Sequence, residues 1–167
     1  AKRCILHGLS AYATANVVRF MRPVVFLENC LVYHGYRGIL IDDYGNTRGA
    51  KLHNNLFTQC ATGVHASGAS SAVFAHNNIS FGNTTNWSAI PSTGIHAAFN
   101  NAGESGDSPW DTGTSTAITT ITSGSFVNTS TFDFRPASSS APQVNAGIEV
   151  YGIEALDLGD DVRPNYQ

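Results

Sequence analysis

The sequence predicts an all-β protein folded as a parallel β-helix, a solenoid in which short strands stack coil upon coil. Three observations predict this fold class. The composition is rich in small turn-forming residues, apolar residues alternate with period two, and a similar unit returns every 23 to 25 residues.

The composition favours short strands joined by frequent turns. The chain has 167 residues, of which 42% are hydrophobic and only 13% are charged, about half the usual charged share. Gly, Ser, Thr, Asn and Ala make up the difference, which excludes a charge-rich disordered chain and disfavours a helical bundle. The net charge of −3 without a basic run argues against a nucleic-acid partner. No apolar stretch approaches the roughly 20 residues of a membrane span.

The repeat is anchored on Asn29, Asn54 and Asn77, which lie 25 and 23 positions apart. Apolar residues lie two positions before and two positions after each anchor: Leu27 and Leu31, Leu52 and Leu56, Ala75 and Ile79. A Gly-aliphatic step follows in each unit, at Gly38-Ile39, Gly63-Val64 and Gly94-Ile95. The longer spacing before the third step predicts an insertion at "TTNWSAIPS".

Within a unit the alternation of Val25, Leu27 and Asn29 has the period of a strand. A strand, a turn at Asn, a second strand, a turn at Gly and a third strand describe one coil of a parallel β-helix. Successive coils pair about 4.8 Å apart, so equivalent residues form columns. Asn tolerates the left-handed conformation of a sharp turn, and its amide can bond the next Asn of the column. The anchors therefore predict an internal turn ladder.

The windows "AVFAHNNISFGN" and "GAKLHNNLFTQCATGVHASG" resemble coils of the right-handed parallel β-helix superfamily, the pectate-lyase-like fold. The tail resembles the closing segment of secreted bacterial β-helix repeat proteins, through Phe126-Val127-Asn128, Asp133-Phe134-Arg135 and Asn145-Ala146-Gly147. Ser140-Ala141-Pro142 departs by one residue from the Gly-Ser-Pro usual there. The resemblance implies a right-handed helix with an irregular C-terminal wrap. It leaves the activity open, because the superfamily holds lyases, hydrolases, epimerases and structural modules.

The predicted organisation has two parts. Residues 1–125 form the coils, with a loop excursion at about 99–116, and residues 126–167 form a capping or wrapping segment. Asn100 lies 23 residues after Asn77 but only six after Gly94, and for that reason it is assigned to the excursion. Four coils are few for a solenoid. We therefore expect either the C-terminal part of a longer helix or a homo-oligomer.

The residues just before the anchors, Glu28, His53 and His76, are predicted to form one outward column. Phe26, Lys51 and Phe74 form the neighbouring outward column, and Leu40, His65 and His96 a further one. In the polysaccharide lyases that the chain resembles, such a sheet carries the substrate groove. Glu28, His53 and His76 are thus candidates for proton transfer or metal binding. The alternative is a solvated ladder of repeated residues.

Two further groups are candidate sites. Asp42 and Asp43 could act as catalytic carboxylates, holding Ca²⁺ in a lyase or flanking the scissile bond in a hydrolase. No other cofactor is expected, and a solvated turn is the alternative.

Trp110 lies in the Gly/Ser/Asp-rich stretch "GDSPWDTG", where an indole could stack on sugar rings. Asp107 and Asp111 could accept the sugar hydroxyls, and Trp87 would lie nearby if both loops leave the same side. Lys51 is a further candidate for ligand binding. The alternative is that Trp110 folds back to cover an edge of the β-helix or fills a subunit contact.

The three cysteines, Cys4, Cys30 and Cys60, match neither a disulfide framework nor a zinc site. They are interpreted as buried thiols, with a Cys30–Cys60 bridge as the alternative.

The functional expectation is a secreted or surface module that engages a polysaccharide without catalysis by this chain alone. One alternative is a non-catalytic structural module of a cell surface or of a phage spike or decoration protein. Another is a polysaccharide lyase or hydrolase whose groove is completed by further coils. All of these place the protein outside the cell, on its surface or in a virion.

Overall fold

The structure is a computed structural model, and it describes residues 4–8, 15–20, 25–42, 50–67, 73–88, 95–110, 118–144 and 146. Regular structure within these residues consists of short strands and two 3-10 turns. The strands are β1 (Ile5–His7), β2 (Asn16–Phe20), β3 (Val25–Glu28), β4 (Leu31–Tyr33), β5 (Arg37–Asp42), β6 (Ala50–His53), β7 (Leu56–Thr58), β8 (Thr62–Ser67), β9 (Val73–His76), β10 (Ile79–Phe81), β11 (Thr85–Ser88), β12 (Ile95–Phe99), β13 (Phe126–Asn128) and β14 (Asp133–Pro136). The 3-10 turns are Ser123–Ser125 and Thr129–Thr131.

The first twelve strands form three parallel sheets. Sheet I has the order β3-β6-β9-β12, sheet II β1-β4-β7-β10, and sheet III β2-β5-β8-β11. Each strand pairs with the third strand before and after it in the chain, which is the connectivity of a parallel β-solenoid. The predicted fold class is confirmed.

The core lies between the three sheets and is built from inward-facing columns. Sheet I contributes Leu27, Leu52, Ala75 and Ala98, and sheet III contributes Val18, Ile39, Val64 and Trp87. Because each column recurs in every coil, an apolar residue at one position of the repeat is buried by its equivalents above and below.

The corners between sheets I and II contain the predicted left-handed Asn residues. Asn29, Asn54 and Asn77 have φ values of 55°, 56° and 57°, and the Asn77 amide donates to Asn54 Oδ1 at 3.0 Å. The buried ladder, however, lies one residue further on, at Asn55, Asn78 and Asn101. The anchors adopt the turn conformation, and the residues that follow them form the buried hydrogen-bond ladder between coils.

Two boundaries of the repeat differ from the prediction. Asn86 and Trp87, and not Gly94 and Ile95, take the register of Gly63 and Val64, so "TTNWSAIPS" contains strand β11, and its last four residues lie outside the described part. The prediction took a Gly-aliphatic step as the marker of this corner and therefore chose Gly94-Ile95. At Gly38 a Cβ would lie 2.7 Å from Gly63 O, so this corner requires glycine. In the coil after that of Gly63, Asn86 stands at the equivalent corner.

Residues 99–102, at the start of the predicted excursion, continue the coils. Asn100 has φ 53°, Asn101 continues the buried ladder, and Ala102 bridges in parallel to Ile79. Residues 104–110 contain no strand, and residues 111–116 lie outside the described part.

The segment after Ile121 packs along one side of the solenoid. β13 and β14 form an antiparallel pair, and Phe126 and Phe134 cluster with Phe81 and with the outward residues Leu56 and Ile79 of sheet II. Up to Pro136 the segment therefore covers the outer side of sheet II.

Candidate functional site

Glu28, His53 and His76 form the column predicted for sheet I. They are register partners at the last positions of β3, β6 and β9, directly before the Asn turns. The rings of His53 and His76 stack at 5.2 Å with an interplanar angle of 11°. His53 Nδ1 lies 3.7 Å from Glu28 Oε1, which is too long for a hydrogen bond.

The column is not the solvated face that the sequence predicts. Glu28 and His53 are each 5% exposed, and His76 is half-buried. Because Glu28 and His53 are almost fully buried, these two groups are poor candidates for chemistry on a polysaccharide.

Burial sets the protonation of the two imidazoles. Burial and, to a smaller extent, the neighbouring His76 lower the pKa of His53 to about 4, against the opposite effect of Glu28. Burial also lowers the pKa of His76. His53 is therefore neutral at pH 7, and its approach to Glu28 is not an ion pair at that pH.

The adjacent column on the same sheet is more exposed, with Lys51 and Phe74 half-buried. Phe26, Lys51 and Phe74 are register partners, and Phe26 is 39% exposed. Lys51 Nζ lies 5.0 Å from the centroid of the Phe26 ring and 6.0 Å from that of Phe74. An ammonium group within about 6 Å of two rings makes a cation–π pair with each. We call these three residues the Phe-Lys-Phe column.

Trp110 and Trp87 do not offer the predicted stacking surface. Trp110 is 0% exposed and belongs to the core, with its ring centroid 5.6 Å from that of Trp87. Trp87 is 9% exposed, and its Nε1 donates to Ala102 O at 3.1 Å. The packing alternative describes both indoles.

Asp107 organises the loop before Trp110. Asn86 Nδ2 donates to Asp107 Oδ2 and to Glu104 Oε2, both at 2.8 Å, and Glu104 N donates to Asp107 Oδ2. The carboxylate is thus engaged within the protein. Glu104, which the sequence did not single out, completes this junction by accepting from Gly82 N at 2.9 Å.

The remaining predicted residues are Asp42, Asp43, Asp111, His65 and His96. Asp42 ends β5 in register with Ser67, while Asp43 and Asp111 lie outside the described residues. His65 pairs with Ser88 and not with His96, and its Nδ1 lies 3.2 Å from Ser88 Oγ.

A second surface cluster escaped the sequence reasoning. His7 Nε2 lies 3.1 Å from His34 Nδ1, and the Tyr33 and Phe132 rings approach to 5.0 Å beside them. His7 and Tyr33 are register partners, and the repeat could have revealed this pair. Phe132 comes from the C-terminal segment, whose position no repeat encodes.

The described residues contain neither a metal-binding cluster nor a membrane-spanning helix. Among them, no group of three or more His, Cys, Asp or Glu side chains could hold a metal ion. None of the described segments forms a helix with the length and hydropathy needed to cross a membrane.

Comparison with known proteins does not narrow the assignment. The sequence matches no protein-family model, and neither curated proteins nor solved structures show significant similarity to it. The strand order shows a parallel β-solenoid, and no family is identified for it.

Proposed function

We propose that the protein is a non-catalytic β-solenoid module that binds an acidic polysaccharide across the outer face of sheet I. The observation that carries this proposal is the Phe-Lys-Phe column, a cation between two rings on a rigid sheet.

The chemistry of the column suits this ligand class. Aromatic faces pack against the C–H faces of sugar rings, and an ammonium group pairs with a uronate carboxylate. The three side chains sit on successive strands of one parallel sheet, about 4.8 Å apart, so they are positioned before any ligand arrives. Little ordering is then required on binding. Such a ligand places the protein at a cell surface, outside the cell or on a virion.

The proposal includes no catalytic step. Glu28 and His53 are nearly fully buried beside the column, and Asp107 is held by the backbone and by Asn86. In the alternative, a lyase or hydrolase, further coils would complete the groove.

Isothermal titration with polygalacturonate and alginate tests the proposal, with dextran as the neutral comparison. We expect Lys51→Gln to weaken binding of the acidic polymers about tenfold, and Phe26→Ala to weaken it by a similar factor. Added salt should weaken binding of the native protein, because part of the attraction is between charges.

Tyr36 and Arg37 provide a matched control, since the Arg37 guanidinium lies 4.8 Å from the Tyr36 ring away from the column. Tyr36→Ala and Arg37→Gln should leave the affinity unchanged. Absence of binding by the native protein, or equal losses in the control variants, would contradict the proposal.

A structural module is the second candidate, and one observation favours it. Ile5 is 63% exposed on β1, which is an edge strand of sheet II within the described residues. Edge strands with exposed apolar side chains are prone to pair with another chain. Native mass spectrometry should then give a trimer or larger assembly that Ile5→Lys dissociates, and a stable monomer would argue against it.

A further inference from the structure

The first two cysteines of the chain meet at the N-terminal end of the buried ladder. Cys4 directly precedes β1 and Cys30 directly precedes β4, and these strands pair from Ile5 and Leu31 onward. The two Sγ atoms lie 2.6 Å apart. Leu31 N donates to Cys4 O at 3.0 Å, so the backbone holds the two residues in register.

Cys30 occupies the ladder position that Asn holds in the later coils. Asn78 Nδ2 donates a hydrogen bond to Asn101 Oδ1 at 2.9 Å, and Asn55 Nδ2 donates to Asn78 Oδ1 at the same distance. Cys30 N donates to Asn55 Oδ1 at 3.0 Å. Cys30 has no side-chain amide that could hydrogen-bond to the coil before it. Its sulfur faces the sulfur of Cys4 instead, so contact between the coils is maintained by a different chemistry.

The register decides between the two possible bridges. Adjacent parallel strands lie about 4.8 Å apart, within the Cα separation of roughly 4.4 to 6.8 Å that disulfides adopt. Cys60 belongs to another corner, where Gly35 N donates to its sulfur at 3.4 Å. The Cys30–Cys60 bridge considered from the sequence is therefore replaced by a different pair.

We infer that Cys4 and Cys30 form a disulfide that joins the first coil to the second, while Cys60 remains a thiol. The co-reactant is a low-molecular-weight disulfide such as glutathione disulfide. The Cys4 thiolate attacks one of its sulfurs and expels a glutathione thiolate, leaving a mixed disulfide. The Cys30 thiolate then attacks the Cys4 sulfur and expels the second glutathione. In sum the two protein thiols lose two electrons and two protons, which reduce one glutathione disulfide to two glutathiones.

The order of attack follows from accessibility. Cys4 is half-buried, whereas Cys30 is 2% exposed, and only Cys4 can be reached by the small disulfide. Burial, helped by the hydrogen bond with Cys4, raises the pKa of Cys30 to about 12, so its thiolate is scarce. The second step proceeds because the two sulfurs are already in contact.

The product spans one complete coil, since Cys4 and Cys30 are 26 residues apart. Closing this ring restricts the unfolded chain and so stabilises the end of the solenoid. The site makes the attachment of the first coil dependent on the redox conditions around the protein.

The test is to incubate the folded protein with glutathione disulfide, block thiols with N-ethylmaleimide in denaturant, and map the peptides by mass spectrometry. We expect one labelled thiol, at Cys60, and a linked peptide pair containing Cys4 and Cys30. Cys60→Ser should keep the link and Cys4→Ser should lose it. The melting temperature should fall on reduction in the native protein and in Cys60→Ser, but not in Cys4→Ser.

Three labelled thiols, a linked Cys30–Cys60 peptide, or a glutathione adduct that persists on Cys4 would each overturn the inference. The readouts are independent of ligand binding, so a failure of the polysaccharide proposal leaves this result unaffected.

Discussion

Two buried polar columns run side by side through the same coils, and they are satisfied very differently. In the ladder, Asn55, Asn78 and Asn101 donate both amide hydrogens and accept from the coil before them. Two residues upstream, His53 stacks on His76, and neither ring nitrogen of His53 has a hydrogen-bond partner among the described residues.

The difference shows two ways in which a repeat can bury polar groups. An amide placed in every coil satisfies its neighbours, so burial strengthens the column instead of penalising it. An imidazole stacked on an imidazole has no such complement, and burial is tolerated because the ring gives up its charge. We therefore expect the ladder to determine stability at all pH values and the histidine column to make stability depend on pH.

The largest effect is expected for the centre of the ladder. Asn78→Ala removes donors to Leu52 O and Asn101 Oδ1, and it leaves two Asn55 hydrogens without an acceptor. We expect the free energy of unfolding, measured by urea denaturation, to fall by about 3 kcal/mol.

The control is Thr84→Ala, an exposed position in the same coil, which should change the free energy of unfolding by less than about 0.5 kcal/mol. If Asn78→Ala were no worse than this control, water would have to replace the amide, and the ladder would not carry the stability assigned to it.

An intermediate effect is expected from pH. The pKa of His53 in the folded protein, about 4, lies below its ordinary value of 6.5, so the unfolded chain binds more protons between these values. Stability is therefore complete above pH 6.5 and is lost as the pH falls toward 4, by about 3 kcal/mol from this residue at most. The lowered pKa of His76 acts in the same direction.

Urea titrations at pH 7.0 and pH 4.5 of the native protein and His53→Gln measure this contribution. The variant should lose less stability on acidification than the native protein, whereas Thr84→Ala should match the native loss. Equal losses in the native protein and His53→Gln would show that the histidine column does not sense pH.

The smallest effect is expected at the outer Asn of the turn. Asn77 has φ 57° and donates to Asn54. Asn77→Gly removes this hydrogen bond but also the cost of a Cβ in the left-handed region, and the two terms nearly cancel. Asn77→Ala removes the bond and keeps the cost, so it should be less stable than Asn77→Gly by about 1 kcal/mol in urea denaturation. The reverse order would mean that the turn does not require the left-handed conformation.

The fold was predictable because the spacing between equivalent residues in the sequence equals the length of one coil. Asn29, Asn54 and Asn77 identified the corners and their conformation, and the column of Glu28, His53 and His76 followed from the same register. Burial of that column was not predictable, since alternation assigns a side of the sheet but not what covers it.

Contacts made by residues that lie outside the repeat could not be predicted from the sequence either. Trp110 looked exposed because its neighbours are Gly, Ser and Asp, yet it packs on Trp87, whose inward position required the register of β11. That register was missed because Asn86 stands where the two earlier coils have Gly38 and Gly63.

The constant separation of ladder partners has a consequence for cooperativity. Asn55, Asn78 and Asn101 each bond a residue 23 or more positions away, so the ladder couples each of these coils to the coils beside it. Such a chain behaves as a one-dimensional array, in which opening starts at an end and advances one coil at a time. The coil of β6, β7 and β8 has a neighbour on both sides, so its amide hydrogens exchange last.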